Sequence, residues 1–176
     1  MKKYKIIIQK GFTLIELIVV IAIIGILSLI IVPNVINYIN NAKAATAAIN
    51  ARSCYMEATS NYIYYLADNA GTIIDLDENC EIYVDGNLKN NYTASDGEPN
   101  RAKWAKTADD IYSLYPKISL NYASIDELDE LYQVGSERAQ AIIDNRPYTE
   151  LDEIIEKISG ISKNRYNIIK YSITLN

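Results

Sequence analysis

Histidine is absent from this chain of 176 residues. The commonest general base and the commonest metal ligand are therefore both missing. Cysteine occurs twice, as Cys54 and Cys80, and two thiols with no imidazole nearby cannot close a zinc site. If this part of the chain lies outside the cell, a disulfide between them is the expected reading, with two inert thiols as the alternative. A bridge would be worth about 3 kcal/mol by the chain-entropy estimate. Phe and Trp occur once each against 15 Tyr; such an aromatic set suits wet surfaces and contact faces better than a dry core. Positive charge is scarce beyond the first few residues. The net charge is −5, yet Lys2, Lys3, Lys5 and Lys10 all precede Phe12, and without those four the remaining 13 basic residues face 22 acidic ones. That balance argues against a protein coated in positive charge for nucleic acid. No catalytic constellation is visible, so no enzyme, cofactor or small-molecule substrate is expected.

What the chain does have is one long apolar run, Phe12–Val32, in which Glu16 is the sole charge. As a helix it would be roughly 31 Å long, the thickness of a bilayer's hydrocarbon core. The basic residues before it place that end in the cytoplasm and the chain beyond Val32 outside. An ordinary secretory signal carries its cleavage site after the apolar core, whereas here the processing-like Gly11 comes before it. Lys10-Gly11 before Phe12, then Thr13-Leu14-Ile15-Glu16, the apolar run with Gly25, and Pro33 at its end together resemble the leader and first helix of type IV pilins and pseudopilins. The resemblance covers residues 2–40. It implies that a prepilin peptidase cuts after Gly11 and N-methylates Phe12. It also implies a single-pass subunit of the cytoplasmic membrane that is drawn, with other pilins, into a filament on the cell surface. Glu16 has a physical role in that scheme. A lone carboxylate in hydrocarbon costs at least about 2.5–3.5 kcal/mol, so it needs a partner. After cleavage the nearest free cation is the new amino terminus at Phe12, on its own or a neighbouring helix.

Beyond Pro33 the helical period resumes. Val35, Ala42, Ile49, Met56 and Ile63 recur every seven residues with Ile39 and Ala45 beside them, which predicts a helix to about Ala67 packed by that face against its own head domain and sister helices. From Asp68 turn residues separate short β-prone runs at Thr72–Leu76, Glu81–Val84 and Asn91–Thr93, so a small antiparallel sheet is expected. Asp75, Asp77, Glu78 and Glu81 form an acidic cluster that reads as a solvated loop, lacking the Gly and bidentate Glu offsets of a calcium loop. Arg101–Lys106 places basic residues around Trp104, either a nucleic-acid-compatible surface or a Trp anchoring a short helix. Thr107 with Asp110 reads as the cap of a helix over 108–114.

The last stretch, from Ile118, shows four short helices by caps and period: Ser124 with Glu127 before a helix to about Tyr132, Ser136 to about Asn145, Thr149 with Asp152 through Ile158, and Ser162 to about Tyr171. The halves repeat weakly, Leu131–Ala139 aligning with Ile158–Tyr166. Together with Asn121-Tyr122-Ala123-Ser124 and Ala139–Arg146, they resemble the tandem helix-hairpin-helix module of extracellular competence DNA receptors. The resemblance implies that hairpin N–H groups and the following helix start grip a phosphate, which orphan donors and the positive helix end favour. The residues it assigns to DNA are Val134, Gly135, Ser136, Arg138, Gly160, Ile161, Ser162, Lys163, Arg165 and Lys170. Each hairpin keeps one of the family's two glycines, in Gln133-Val134-Gly135 and Gly160-Ile161-Ser162. A Cβ at Gln133 or Ser162 would crowd a phosphate or demand an unfavourable φ.

The expected architecture is therefore α+β: a leader (1–11), a membrane and filament-core helix (12–33), the rest of the pilin helix with a reduced head (34–117), and an all-α tandem helix-hairpin-helix domain (118–176). The expected function is a minor pilus subunit binding double-stranded extracellular DNA nonspecifically, for uptake or biofilm adhesion. The competing reading is a structural subunit whose C-terminal domain serves assembly contacts. Glu16→Val is predicted to leave membrane insertion intact and abolish incorporation into filaments; normal piliation by the variant in an assembly assay would refute the role given to Glu16.

Overall fold

The computed structural model describes residues 11–68, 76–104 and 111–176. The basic leader through Lys10, Thr72–Asp75 of the strand expected over Thr72–Leu76, Ala105-Lys106 and the cap at Thr107–Asp110 lie outside the described residues. The chain divides into two compact units, one ending at Tyr38 and the other spanning Ile39–Asn176.

Helix α1 runs without interruption over Leu14–Asp68, with Pro33 inside it. Its N-terminal part is long and apolar enough to cross a membrane, and none of that stretch is buried within the chain. Polar side chains there return to their own backbone: Ser28 donates to the Ile24 carbonyl at 2.7 Å and Asn34 Nδ2 to the Ile30 carbonyl at 3.0 Å. Such internal pairing keeps these groups compatible with lipid.

In the second unit α1 buries Ala44, Ala47, Ala51, Cys54 and Ala58, spaced alternately by three and four residues as one helix face must be. The heptad set expected to pack on the head does not: Ala42, Ile49, Met56 and Ile63 are exposed, as is Val35. The physical reason is size. Alanine lets a sheet approach the helix backbone closely, and the bulky residues are left on another side.

The sheet has the order β2-β1-β3-β4, formed by β1 (Cys80–Val84), β2 (Asn87–Lys89), β3 (Arg101–Trp104) and β4 (Ser113–Tyr115). Every neighbouring pair is antiparallel. Asp85 and Gly86, at φ 50 and 77, turn β1 into β2, the two-residue turn that matches strand twist. Ile82, Val84 and Ala102 pack with Tyr92 against Cys54 and Ala58 of α1. A disulfide joins Cys54 to Cys80, with Cα atoms 6.0 Å apart, and so fastens β1 to the helix. Of the acidic cluster, Asp77 accepts from the Asn79 backbone at 2.9 Å, and Glu81 pairs with Lys103 at 3.5 Å.

Three local expectations are corrected. Asn91–Thr93 is no strand: Asn91 has φ 58, and Thr93 instead caps a single 3-10 turn, Ala94–Asp96. Ser113–Tyr115 is a strand, not the end of a helix. Trp104 belongs to a strand, because Arg101–Trp104 is the inner strand β3, and pairing on both edges overrode local propensity. Its charges are neutralised. Arg101, with a side chain only 15% exposed, pairs with Glu127 at 2.9 Å and with Glu130, while Lys103 also lies 4.4 Å from the centre of the Tyr112 ring. That surface is no longer a free basic patch.

The remaining residues form α2 (Ile125–Asp129), α3 (Gly135–Asp144), α4 (Glu153–Lys157) and α5 (Lys163–Ile169). They enclose one core that includes Leu120, Leu128, Leu131, Val134, Ile142, Ile154, Ile161 and Ile169, with Leu114 of β4. The module is helical except for one parallel pair, β5 (Ile118–Ser119) with β6 (Ile173–Thr174), which closes its two ends together. Asn121 and Arg146 reinforce the closure. Asn121 Nδ2 donates to the carbonyls of Tyr148 and Leu175 at 3.0 and 3.1 Å, and Arg146 Nε donates to the Leu120 carbonyl at 2.6 Å. Ser124 and Glu127 form the expected capping box. At α4 the partner of Thr149 is Glu153 rather than Asp152, with the Thr149 amide donating at 2.8 Å.

Two carboxyls couple this module to pH. Hydrogen bonds from Lys157, Thr149 and Glu150 hold Glu153 at about 2, well below its ordinary 4.5. The Ser124 amide and hydroxyl, with Arg101, lower Glu127 against the opposing effect of burial. Both titrate lower in the folded protein than in the unfolded chain, so their stabilisation is complete above 4.5 and is lost with acidification, that of Glu153 as pH falls toward about 2. Melting temperature is therefore expected to drop across that window, and Glu153→Gln should flatten the drop when wild type and variant are melted at matched pH.

Candidate functional site

Two places in the chain carry groups arranged for chemistry. The first is the start of α1. Gly11 and Phe12 precede the helix and are exposed. Thr13 and Glu16 form a reciprocal cap: the Thr13 amide and hydroxyl donate to Glu16 Oε2 at 2.8 and 2.7 Å. The Glu16 amide donates back to Thr13 Oγ1 at 3.3 Å. With the Gly11–Phe12 bond intact, the carboxylate expected to meet a free amino terminus is thus already satisfied by Thr13. The Thr-x-x-Glu spacing is a capping-box signature that the reading of the apolar run passed over.

The second place is the pair of hairpins. Val134 and Ile161, the apolar residue of each turn, are both buried in the single core. Their amides are spent within the turns, donating to Leu131 and Ile158 at 3.0 and 3.2 Å. Neither residue can therefore offer a side chain or an N–H to a ligand, which corrects their place among the expected DNA contacts. What they do is anchor the turns. Gly135, Ser136, Ser162 and Lys163 stand exposed around them. Gly135, at φ 69, opens α3 with no side-chain cap, so the first N–H groups of that helix lack an intrahelical partner. Ser136 is the second residue of α3, not its cap. At the other hairpin Ser162 has an ordinary φ of −71, and its hydroxyl accepts from the Arg165 amide. Its Cβ is thus tolerated, and it serves as the cap of α5. Gln133 is different: it holds φ 52, the left-handed region that costs a side-chain-bearing residue about 1–2 kcal/mol.

The structure also brings the hairpins together through their arginines, which occupy equivalent positions in the two halves. Arg138 Nη1 donates to the Val134 carbonyl of its own turn at 3.0 Å. Its guanidinium also lies against Gly160 of the other, so closely that a Cβ there would sit 2.8 Å from Nε. Arg165 reciprocates. Nη1 donates to the Gly160 carbonyl of its own turn, and Nη2 reaches Gln133 Oε1 of the other at 3.2 Å. Neither arginine has a carboxylate partner among the described residues. Two full positive charges thus converge where the turns meet. Lys163 is exposed beside them, whereas Lys170 caps the opposite end of α5. An acid stands beside the start of α3: the Asp129 carboxylate lies 4.0 Å from where a Cβ on Gly135 would be.

Comparison with known families agrees with both places. Residues 8–32 match the family model of the prokaryotic N-terminal methylation motif, and residues 115–174 match that of the helix-hairpin-helix motif. No curated protein and no solved structure matches the chain. The chain therefore joins a type IV pilin-like N-terminus to a helix-hairpin-helix motif.

Gly160 is the pivot of the arginine arrangement. Gly160→Ala would force an alanine to φ 84 and displace the Arg138 guanidinium, and a loss of at least about 1 kcal/mol is expected from the backbone alone. Thermal denaturation of the two proteins side by side measures it; an unchanged melting temperature would contradict the assignment.

Proposed function

We propose that this chain is a minor pilus subunit whose helix-hairpin-helix module binds double-stranded DNA outside the cell without regard to sequence. Residues 1–11 are its leader, removed after Gly11. Residues 12–33 hold it in the cytoplasmic membrane and then in the filament core among other pilins. Residues 34–117 complete the pilin part, and 118–176 carry the DNA site. The two family matches support the route to the surface. One observation supports the ligand most strongly: two arginines without carboxylate partners meet between the hairpins, next to an uncapped helix start at Gly135 and the exposed Lys163. Unpartnered N–H groups and cationic side chains at a helix start suit a phosphodiester. Contacts of that kind carry no base information. The surrounding acids, including Asp129, hold the affinity of one copy down. DNA uptake and adhesion to DNA in a biofilm would both use this chemistry.

The test is a gel shift of the full-length chain, purified in mild detergent, with a duplex of about 30 base pairs over a salt series. With some three phosphates engaged, log K should fall against log salt with slope about −3. Lys163→Glu should weaken binding by about three- to tenfold and bring the slope nearer −2. No shift even at the lowest salt would favour the reading in which the module serves only contacts within the filament.

A further inference from the structure

Gln133 stands where the second hairpin has Gly160, and it is strained there at φ 52. An exposed side chain kept in that conformation calls for a reason, and its contacts supply one. Gln133 Nε2 donates to the Tyr132 hydroxyl at 2.8 Å, which turns Oε1 toward the opposite hairpin. There Oε1 accepts from Arg165 Nη2 at 3.2 Å. Tyr132 is itself held edge-on by Tyr112 at 5.9 Å, and the Tyr112 hydroxyl donates to the Glu130 carbonyl at 2.7 Å. The carboxamide is therefore aimed from a braced support rather than swinging free. On the other side, Arg165 has only neutral acceptors, the Gly160 carbonyl and Gln133, and its Nε is buried without a partner. A guanidinium in that state keeps its full charge. Released from Gln133, it would be free to take a phosphate, to which charge-assisted bonds are shorter and roughly twice as strong.

We propose that Gln133 is a positioning residue that latches Arg165 across the two hairpins and withholds it from phosphate, setting the affinity of the module for DNA. The inference rests on the DNA-binding reading above and deepens it. With the latch closed, Arg165 braces the turns and the duplex is met by the start of α3, Arg138 and Lys163. With the latch absent, Arg165 Nη2 becomes available as one further phosphate contact, while its Nη1 bond to the Gly160 carbonyl stays.

Gln133→Gly tests this directly, because glycine relieves the backbone at φ 52 and removes the acceptor without adding a group. Full-length wild type, Gln133→Gly, Arg165→Gln and the double variant are compared in mild detergent. Each is titrated against a fluorescein-labelled duplex of about 30 base pairs by anisotropy over a salt series, and a thermal melt of each confirms folding. Gln133→Gly should bind about three- to fivefold tighter at low salt, with the slope of log K against log salt steeper by about one. The double variant should lose that gain and fall back to the slope of wild type. A Gln133→Gly protein that binds with wild-type affinity and slope overturns the latch while leaving DNA binding in place. A gain that survives in the double variant overturns it as well, because the gain would not pass through Arg165. If none of the four proteins binds duplex at any salt, DNA binding itself fails and the latch with it.

Discussion

Burial of Val134 and Ile161 in one core is the constraint on which the C-terminal module depends. Both are essentially inaccessible to water, and fully burying an aliphatic side chain stabilises by about 1.5–3 kcal/mol. Because the two sit at equivalent places in the repeat, one core draws both turns to the same point. Everything exposed about those turns then follows: Gly135 and Gly160 at positive φ, the arginines reaching across, and the open start of α3. Of the hairpin residues that the motif assigns to the ligand, Val134 and Ile161 are thus the ones that build the platform. The groups left to meet a ligand are their neighbours.

A second interaction ties that platform to the rest of the head. Arg101 leaves β3 to pair with Glu127 and Glu130, and Ser113 of β4 shares a hydrogen bond of 2.8 Å with Ser172, beside β6. Leu114 of the same strand enters the module's core. The sheet and the helices are consequently joined by apolar, polar and ionic contacts together. The worth of the Arg101 pairs is limited by the exposure of both glutamates, since solvent screens such pairs. Their contribution is direction as much as energy, because a guanidinium engaged twice fixes the angle at which α2 meets the sheet.

The sequence was most legible where a rule is local. The Ser124–Glu127 box and the Ser162 cap could be read from residues three apart, and so could the long helix from its composition. The Cys54–Cys80 bridge was open between two readings until the sheet brought β1 against α1. Where the decisive partner lies far along the chain, legibility failed. Arg101–Trp104 reads as a basic patch until Glu127 and Glu130 arrive from 26 and 29 residues away. Helix α1 offers two apolar sides beyond Pro33, one of alanines and one of larger residues, and nothing local says which the sheet will choose. Size would have indicated it, because close packing of a sheet on a helix favours small side chains. Gln133 was legible only as a lost glycine; that its side chain crosses to Arg165 required the second hairpin to be in place.

The weak charge balance of the module acquires a physical sense when many copies act together. Residues at the hairpins supply a handful of cationic and N–H donors, Asp129 stands beside one of them, and the chain as a whole is net negative. On the DNA-binding proposal, a single site of that kind would hold DNA loosely and release it quickly. Along the filament proposed above, however, successive copies would meet one duplex at high effective concentration, so that modest individual affinities combine into firm retention. Strong sites would make such an array bind almost irreversibly, which serves neither transport of DNA nor disassembly of the fibre. A subunit that restrains one of its own arginines with a neutral acceptor is consistent with selection for weak, repeated contacts. The bond from Arg165 to Gln133 also links the two turns directly, which offsets part of the strain that Gln133 carries at φ 52.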